Sequence, residues 1–465
     1  MTAKRETVKI NCDTHSPEKK YCNLSEEQNM PGIRSITYRY QGSKPSTACM
    51  RHVFRHLSAL YDIKFIEDPR SPDLFWGDKH AAPDSARIIF LNGENDIFKI
   101  RFKDPSTGEF LSGLNYNPLE SLAIRLSIRG NSGPFASRPS IPSGPAEKTL
   151  SAVVSELYNI LCQTGLIENR ARTIALWRGP ARFGMAITHD IDIVRRSVGG
   201  SLRLLFNRAL PGGWEALKDT LKSTLKIAPN PYDAIGKWIV LENSLGVKST
   251  FFIFDGRRRH PLDPKYGPDK ISPALELIRQ NDMEIALHSS VECYAGKGIP
   301  EAKLRLEESA VIKCGGVRPH YLSAFLPEYW WAAAKAGFAY ASTLGFDRDI
   351  GYLDGIDLPF YPFDSVKDEP IPLLEIPISV MDCGLIREQA ADSEQVFERA
   401  MGIIDRAAAT AGLIVLDWHQ RASYNRDYPG WSGLFTKIVR YAGGKGACFL
   451  RMDELAADFE KRFGS

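Results

Sequence analysis

Asp190 and Asp192, in the segment Thr188-His189-Asp190-Ile191-Asp192, are the side chains whose types and spacing point most directly to chemistry. They close an apolar run, Phe183-Gly-Met-Ala-Ile187, that reads as a short buried strand. Side chains along a strand alternate with period two, so both carboxylates leave the sheet on one side. Two like charges so placed are costly unless a proton or a cation separates them. A metal bound by one carboxylate, with the other left free as a base, removes that cost and sets up hydrolysis. A helix N-terminus, where aspartates cap free backbone N–H groups, is the competing account of the same residues.

Four of the nine histidines, His189, His288, His320 and His419, fall at or just beyond the ends of strand-like runs or motifs. His288 follows Met283-Glu-Ile-Ala-Leu287 directly, and Glu292 lies four residues on. If the chain turns helical there, the two share one face and can clasp one ion, although such a pair often arises by chance. Gly315-Gly316-Val317-Arg318-Pro319-His320-Tyr321-Leu322 joins an inflexible turn to a cation and an imidazole, and Leu416-Asp417-Trp418-His419 closes another apolar run with a histidine.

The elements that must position these groups alternate. Strand-like runs recur at Lys248–Phe254, Met283–Leu287, Tyr340–Leu344, Leu373–Ile378, Leu413–Leu416 and Ala447–Leu450. Helical runs sit between most of them, at Pro231–Leu245, Pro273–Gln280, Pro300–Lys313, Pro327–Ala336, Ser393–Ala411 and Trp431–Tyr441. Several open on Pro, whose missing N–H is harmless in a first turn. Such alternation implies parallel strands, as a barrel or an open sheet, with functional groups at the strands' C-terminal ends. The polar residues above fall at those ends.

Upstream, residues 1–34 read as a loosely ordered lead-in and 35–145 as a small α/β domain. In that domain Cys49–Tyr61 has helical spacing, while Asp73–Trp76, Ala86–Leu91 and Phe98–Phe102 look like strands. Gly130–Pro145 reads as a linker, residues 146–180 as a connecting segment with a helix over Thr149–Thr164, and 181–460 as the repeating α/β unit.

The 465 residues are 43% hydrophobic and 25% charged, the balance of a globular protein of more than one domain. A net charge of +3 gives no nucleic-acid footprint. The short basic clusters Arg257-Arg258-Arg259 and Arg195-Arg196 read as solvated loops or as holds for a phosphate-bearing substrate. No apolar run reaches the ~18 residues of a membrane span. The first residues, Met-Thr-Ala-Lys-Arg-Glu-Thr, lack a secretory stretch, and eight scattered cysteines suit a reducing compartment, so a cytoplasmic protein is expected. Peripheral contact with a membrane stays open. No Gly-x-Ser-x-Gly elbow, Walker loop or dinucleotide fingerprint occurs.

In order and spacing these motifs resemble the polysaccharide deacetylases, the NodB-homology domains of carbohydrate esterase family four, over roughly residues 180–455. Asp190-Ile191-Asp192 looks like their Asp-x-Asp motif, and Arg318-Pro319-His320-Tyr321 is similar to their Arg-x-Pro-Tyr with its inner order altered. Leu416–His419 matches Leu-x-His with one extra residue. His288-Ser-Ser-Val-Glu292 stands where the family has His-x-x-x-His. The chain is also similar to a divergent branch with Asp-Pro-x-Tyr, here Asp263-Pro264-Lys265-Tyr266, and a small N-terminal α/β domain.

The resemblance implies a distorted (β/α) barrel and a metal-dependent hydrolase of amide bonds, removing an N-acetyl or O-acetyl group from a carbohydrate or sugar-linked intermediate. It implies Asp190 as base, held ionised by Arg318, and Asp192, His288 and Glu292 as ligands of a divalent ion, with His320 or His189 as substitutes for the third. It further implies His419 as general acid and an oxyanion contact from the backbone near Tyr321; Asp382, closing the run Glu375–Asp382, stands either to orient His419 or as a surface cap. Two carboxylates and one imidazole suit zinc better than calcium. Two other readings compete: a catalytically silent member that binds carbohydrate or a partner, and a hydrolase of another C–N bond in a small metabolite.

Overall fold

The computed structural model describes residues 35–41, 45–77, 81–91, 100–103, 105–107, 110–112, 118–128, 148–167, 176–199, 202, 213–386 and 393–464. The expected lead-in (1–34) and linker (130–145) lie outside the described residues.

The N-terminal part is built on a six-stranded sheet of β1 (Ser35–Tyr40), β2 (Lys64–Glu67), β3 (Leu74–Gly77), β4 (Ile88–Leu91), β5 (Ile100–Lys103) and β6 (Phe110–Ser112), in the order β2-β1-β3-β4-β5-β6. β1 to β4 pair in parallel, and β5 and β6 add on antiparallel. β1 and β2 lie outside the strands expected from the sequence, because charged and hydroxylated residues dilute their apolar pattern. Helix α1 (Thr47–Tyr61) starts where the Ser46 side chain accepts from the Cys49 N–H at 3.1 Å. Two more helices, α2 (Pro118–Leu126) and α3 (Leu150–Gln163), precede β7 (Ser127–Ile128) and the barrel strands respectively.

The barrel strands are β8 (Phe183–Ile191), β9 (Ser249–Phe254), β10 (Glu284–Ser289), β11 (Gly316–Pro319) and β12 (Tyr340–Ala341). β13 (Phe363–Asp364) pairs with both β7 and β14 (Glu369–Pro370) in a separate small sheet. β15 (Leu374–Glu375), β16 (Val380–Met381), β17 (Leu413–Asp417) and β18 (Ala447–Leu450) complete the barrel. Its parallel order is β15-β12-β11-β10-β9-β8-β17-β16, with β18 beside the first half of β8. The segment Leu374–Met381 pairs with β12 at its start and β17 at its end. Within it the N–H of Ile378 bonds to Leu344 and that of Ser379 to Val415, so the sheet curls round on itself. This is the (β/α) barrel that the resemblance implied, one of the two forms the alternation left open.

Helices α4 (Gly213–Thr224), α5 (Ile235–Leu245), α6 (Ser272–Gln280), α7 (Ile299–Ala310), α8 (Glu328–Lys335), α9 (Asp382–Ile386), α10 (Ser393–Thr410), α11 (Trp431–Gly444) and α12 (Met452–Gly464) complete the chain. Pro sits in the first turn of α6 and α7. α5 begins at Ile235, after a turn at Pro231-Tyr232, rather than at Pro231. No helix of the described residues is long and apolar enough to cross a membrane. Gly316 opens β11 without a side chain because Tyr340 lies against it: a Cβ there would sit 2.0 Å from the ring.

One hydrophobic core runs from Ile36 of β1 to Phe459 of α12 and takes in most of the barrel. α1 is fastened to the barrel side by two buried histidines. His52 donates from Nε2 to the Tyr361 carbonyl at 2.7 Å, and His56 Nε2 accepts from the Tyr361 N–H at 2.9 Å. His56 also donates from Nδ1 to the His52 carbonyl at 3.0 Å. Protonation would turn the accepting nitrogen of His56 into a donor facing a donor. Burial pushes His52 down to about 4 and His56 well below the ordinary histidine value. A depressed folded-state pKa contributes stability above the unfolded value near 6.5 and loses it as pH falls toward 4. Denaturant unfolding of the intact protein should therefore show stability falling between about pH 6.5 and pH 4, with a smaller fall in H52Q, which keeps a donor but does not titrate.

Candidate active site

Period-two alternation along β8 decides which residues can meet. Thr188 and Asp190 point into the barrel mouth, while His189 points the other way. His189 packs on Phe251 and Trp238, and both its ring nitrogens are engaged: Nδ1 with the Trp418 carbonyl at 2.5 Å, Nε2 with Glu242 at 2.7 Å. Burial disfavours its charge, but Glu242 outweighs that and raises its pKa. His189 is therefore a core ion pair and has no nitrogen left for a metal.

The fully buried guanidinium of Arg318, on β11, reaches across the barrel. Its Nη1 donates to Asp190 Oδ1 at 2.8 Å, Asp417 Oδ1 at 2.8 Å and Thr188 Oγ1 at 3.0 Å, and Nη2 donates to Ser342 at 3.1 Å. The Phe252 ring lies 4.0 Å beneath it. Two buried carboxylates thus share one cation. Burial alone would raise Asp190, but Arg318, with His288 and His419, outweighs it and holds this carboxyl below the usual range. At Asp417 burial wins, with Asp190 adding to it, and pushes the carboxyl up to about 6.

Asp192 lies one step beyond β8. Its Oδ1 is 3.3 Å from His288 Nε2 and 3.4 Å from His320 Nε2, and its Oδ2 is 3.1 Å from His419 Nε2 and 3.1 Å from Arg421 Nη1. Burial would raise its pKa, yet His419, His288 and His320 together hold it well below the carboxylate range. Asp192, His288 and His320 present donor atoms that all lie within 4.8 Å of one another. Asp192 Oδ1 and His288 Nε2 are both buried without a hydrogen-bond partner among the described residues, so both are open to a ligand. His288 Nδ1 faces the Arg318 carbonyl at 3.2 Å, an outer contact that leaves Nε2 facing the cluster. Burial pushes His320 down to about 4, so its imidazole is neutral, as a ligand must be. One carboxylate and two imidazoles fit a divalent transition ion.

Glu292, expected as the third ligand, is solvent-exposed on the short turn Val291–Cys293 and stands outside this group. The turn is 3₁₀ rather than α-helical, so the i,i+4 alignment with His288 never forms. His320 occupies the place beside Asp192 instead.

His419 follows β17. Its Nδ1 pairs with Asp382 Oδ1 at 2.6 Å, and its N–H donates to Asp382 Oδ2 at 3.0 Å. Burial opposes its charge, but Asp382 outweighs that and raises it well above the histidine value. Tyr321 has a left-handed backbone, φ 57°, as does Leu322 at φ 51°, and its half-exposed ring lies against His320. Such strain in non-glycine residues is typical of functional sites. The motif Asp263–Tyr266 is structural: Asp263 accepts from Ser290 Oγ at 2.7 Å and the Val291 N–H at 3.0 Å, and Tyr266 donates to the Ile191 carbonyl at 2.6 Å.

Asp417 and Arg421 were not expected to act here. Asp417 was legible as a polar residue ending an apolar strand. Arg421 lies within the 3₁₀ turn Gln420–Ser423, whose geometry no short pattern encodes.

No family model matches the chain, and no curated protein matches it. Solved structures do. A putative polysaccharide deacetylase from Mycobacterium smegmatis aligns over 62% of this chain and 93% of its own, at 16% identity and a TM-score of 0.42. A Puue allantoinase aligns over 63% and 95%, at 14% identity and TM-score 0.42. A family 4 carbohydrate esterase from Streptomyces lividans aligns over 58% and 92%, at 11% identity and TM-score 0.30. A CE4 family pseudoenzyme from Bacillus anthracis aligns over 60% and 66%, at 11% identity and TM-score 0.32. These are likenesses of fold, so the chemistry must come from this chain's own side chains.

Replacing Arg318 with Met strands Asp190 and Asp417 as a buried like-charged pair. Denaturant titration of R318M at pH 7.5 should show a loss of about 3–5 kcal/mol relative to the parent.

Proposed function

We propose that this protein is a metal-dependent hydrolase that removes an N-acetyl group from a carbohydrate or sugar-linked substrate. The observation that carries the reading is the meeting of an Asp-His-His donor group with a separately held carboxylate, Asp190, and a carboxylate-bound imidazole, His419. Asp192, His288 and His320 would hold the ion, zinc by the chemistry of the donors. Bound there, such an ion sharpens a water molecule and polarises the acetyl carbonyl.

The chain's residues do the rest. Asp190, kept ionised by Arg318, accepts the proton of the attacking water. The strained backbone at Tyr321 offers its N–H to the carbonyl oxygen as negative charge develops. His419, held in one orientation by Asp382, delivers a proton to the departing nitrogen, since an unprotonated amide nitrogen leaves poorly. Thr188 and Ser342 fix the guanidinium and so keep Asp190 in place.

Acetate release from N-acetyl sugars, with and without chelator, tests the reading: chelator-sensitive release is expected, and no release from any of them would refute it. Elemental analysis after dialysis should show metal lost from D192A, H288A and H320A, and retained in E292A. D190N and H419A should keep their metal while kcat falls about 10²–10⁴-fold. D382N should lower kcat by a smaller factor, measured on the same substrate, because His419 remains but is no longer oriented.

A further inference from the structure

The loop after β9 is joined to residues beside the candidate site at two points and carries charge that its own structure does not neutralise. It is a compact loop with touching ends: Gly256 has φ +85°, and a Cβ on it would lie 2.8 Å from the Gly267 Cα. Near its far end, the Tyr266 hydroxyl bonds to the carbonyl of Ile191, one residue before Asp192, and accepts from the Phe254 N–H at 3.0 Å. In its middle, Asp263 bonds to Ser290 and Val291, two and three residues beyond His288. The same Asp263 Oδ2 accepts from the backbone N–H groups of Arg259 and His260, both at 2.8 Å. The loop is therefore tied to the end of β8, next to Asp192, and to the turn that follows His288 on β10.

Its arginines divide into two kinds. Arg259 is turned inward and pairs with buried Asp255 at 3.2 Å, as does Arg305 from α7. Arg257 and Arg258 are exposed, and neither has a carboxylate partner among the described residues. Arg258 is oriented by donating to the Pro261 carbonyl at 2.7 Å. Lys265 on the same loop and Arg195 on the loop after β8 are exposed as well, and neither pairs with a carboxylate among the described residues. The adjoining turn offers Glu292 against them.

We infer that the substrate is an N-acetyl sugar esterified to phosphate or diphosphate, whose phosphate seats on Arg257 and Arg258 while its acetyl group enters the site. The inference rests on the proposed deacetylase reading. Arginine forks match phosphate oxygens in pairs, and two uncompensated arginines on a rigid loop lose little order in binding them. A nucleotide-linked and a lipid-linked sugar share that phosphate chemistry.

Equilibrium binding by calorimetry to the full, metal-containing protein tests this without turnover, using N-acetylglucosamine, its 1-phosphate and UDP-N-acetylglucosamine. The 1-phosphate should bind at least about tenfold more tightly than the neutral sugar, and weaken as salt rises. R257S/R258S should erase that difference. Tighter binding of the UDP sugar than of the 1-phosphate would identify the nucleotide-linked source, and equal binding a phosphate-only hold; both support the inference. Equal affinity for charged and neutral sugars, no binding of any, or a preference that survives in R257S/R258S would overturn it. A phosphate preference without acetate release would keep Arg257 and Arg258 as a phosphate seat but sink the deacetylase reading, and with it the acetylated substrate.

Discussion

The barrel mouth is organised around one buried cation. Arg318 has no exposed surface, yet its guanidinium is tolerated because Asp190, Asp417, Thr188 and Ser342 surround it and Phe252 lies under it. Taking a guanidinium out of water costs several kcal/mol, returned only when its hydrogen-bonding fork is well filled. Four separate strand ends must therefore meet in one geometry. That requirement fixes the relative placement of β8, β11, β17 and the residue after β12, and with it the position of every nearby donor.

The arrangement also sorts carboxylates by task. Asp190 and Asp192 are neighbours on one face of one strand end, but their surroundings differ: Asp190 faces the guanidinium, and Asp192 faces imidazoles. In the proposed mechanism one takes a proton and the other holds a cation, an assignment that follows from their partners rather than from residue type. Asp382 does the corresponding work for His419. The opposite face of β8 carries an ion pair of its own, His189 with Glu242, sealed in the core and remote from solvent. Charges on either side of a single strand are thus balanced separately.

Much of this was legible in the sequence, and the parts that were not share a cause. The strand–helix alternation and the apolar runs announce a parallel (β/α) sheet, because buried parallel strands leave continuous apolar segments. Period two places Asp190 and Asp192 together, and the same period should have excluded His189 from their company. Glu292 lies apart from the Asp-His-His group because the expected alignment needs an α-helical turn after His288, where the chain forms a single 3₁₀ turn. His320 was legible as a candidate but not as the choice, since the left-handed residues at Tyr321 and Leu322 set the turn around it and carry no sequence signal without glycine. Arg421 reaches Asp192 from a loop, where contacts depend on tertiary placement alone. The N-terminal strands β1 and β2 were hidden by their polar residues, as edge and near-edge strands often are.

The central claim is that one cation is gripped by Asp192, His288 and His320. Anomalous diffraction from zinc-loaded crystals at the zinc absorption edge addresses it directly. The account predicts a single peak about 2.0–2.2 Å from Asp192 Oδ1, His288 Nε2 and a nitrogen of His320. A peak held instead by Glu292, or a barrel mouth with no peak at saturating zinc, would contradict it.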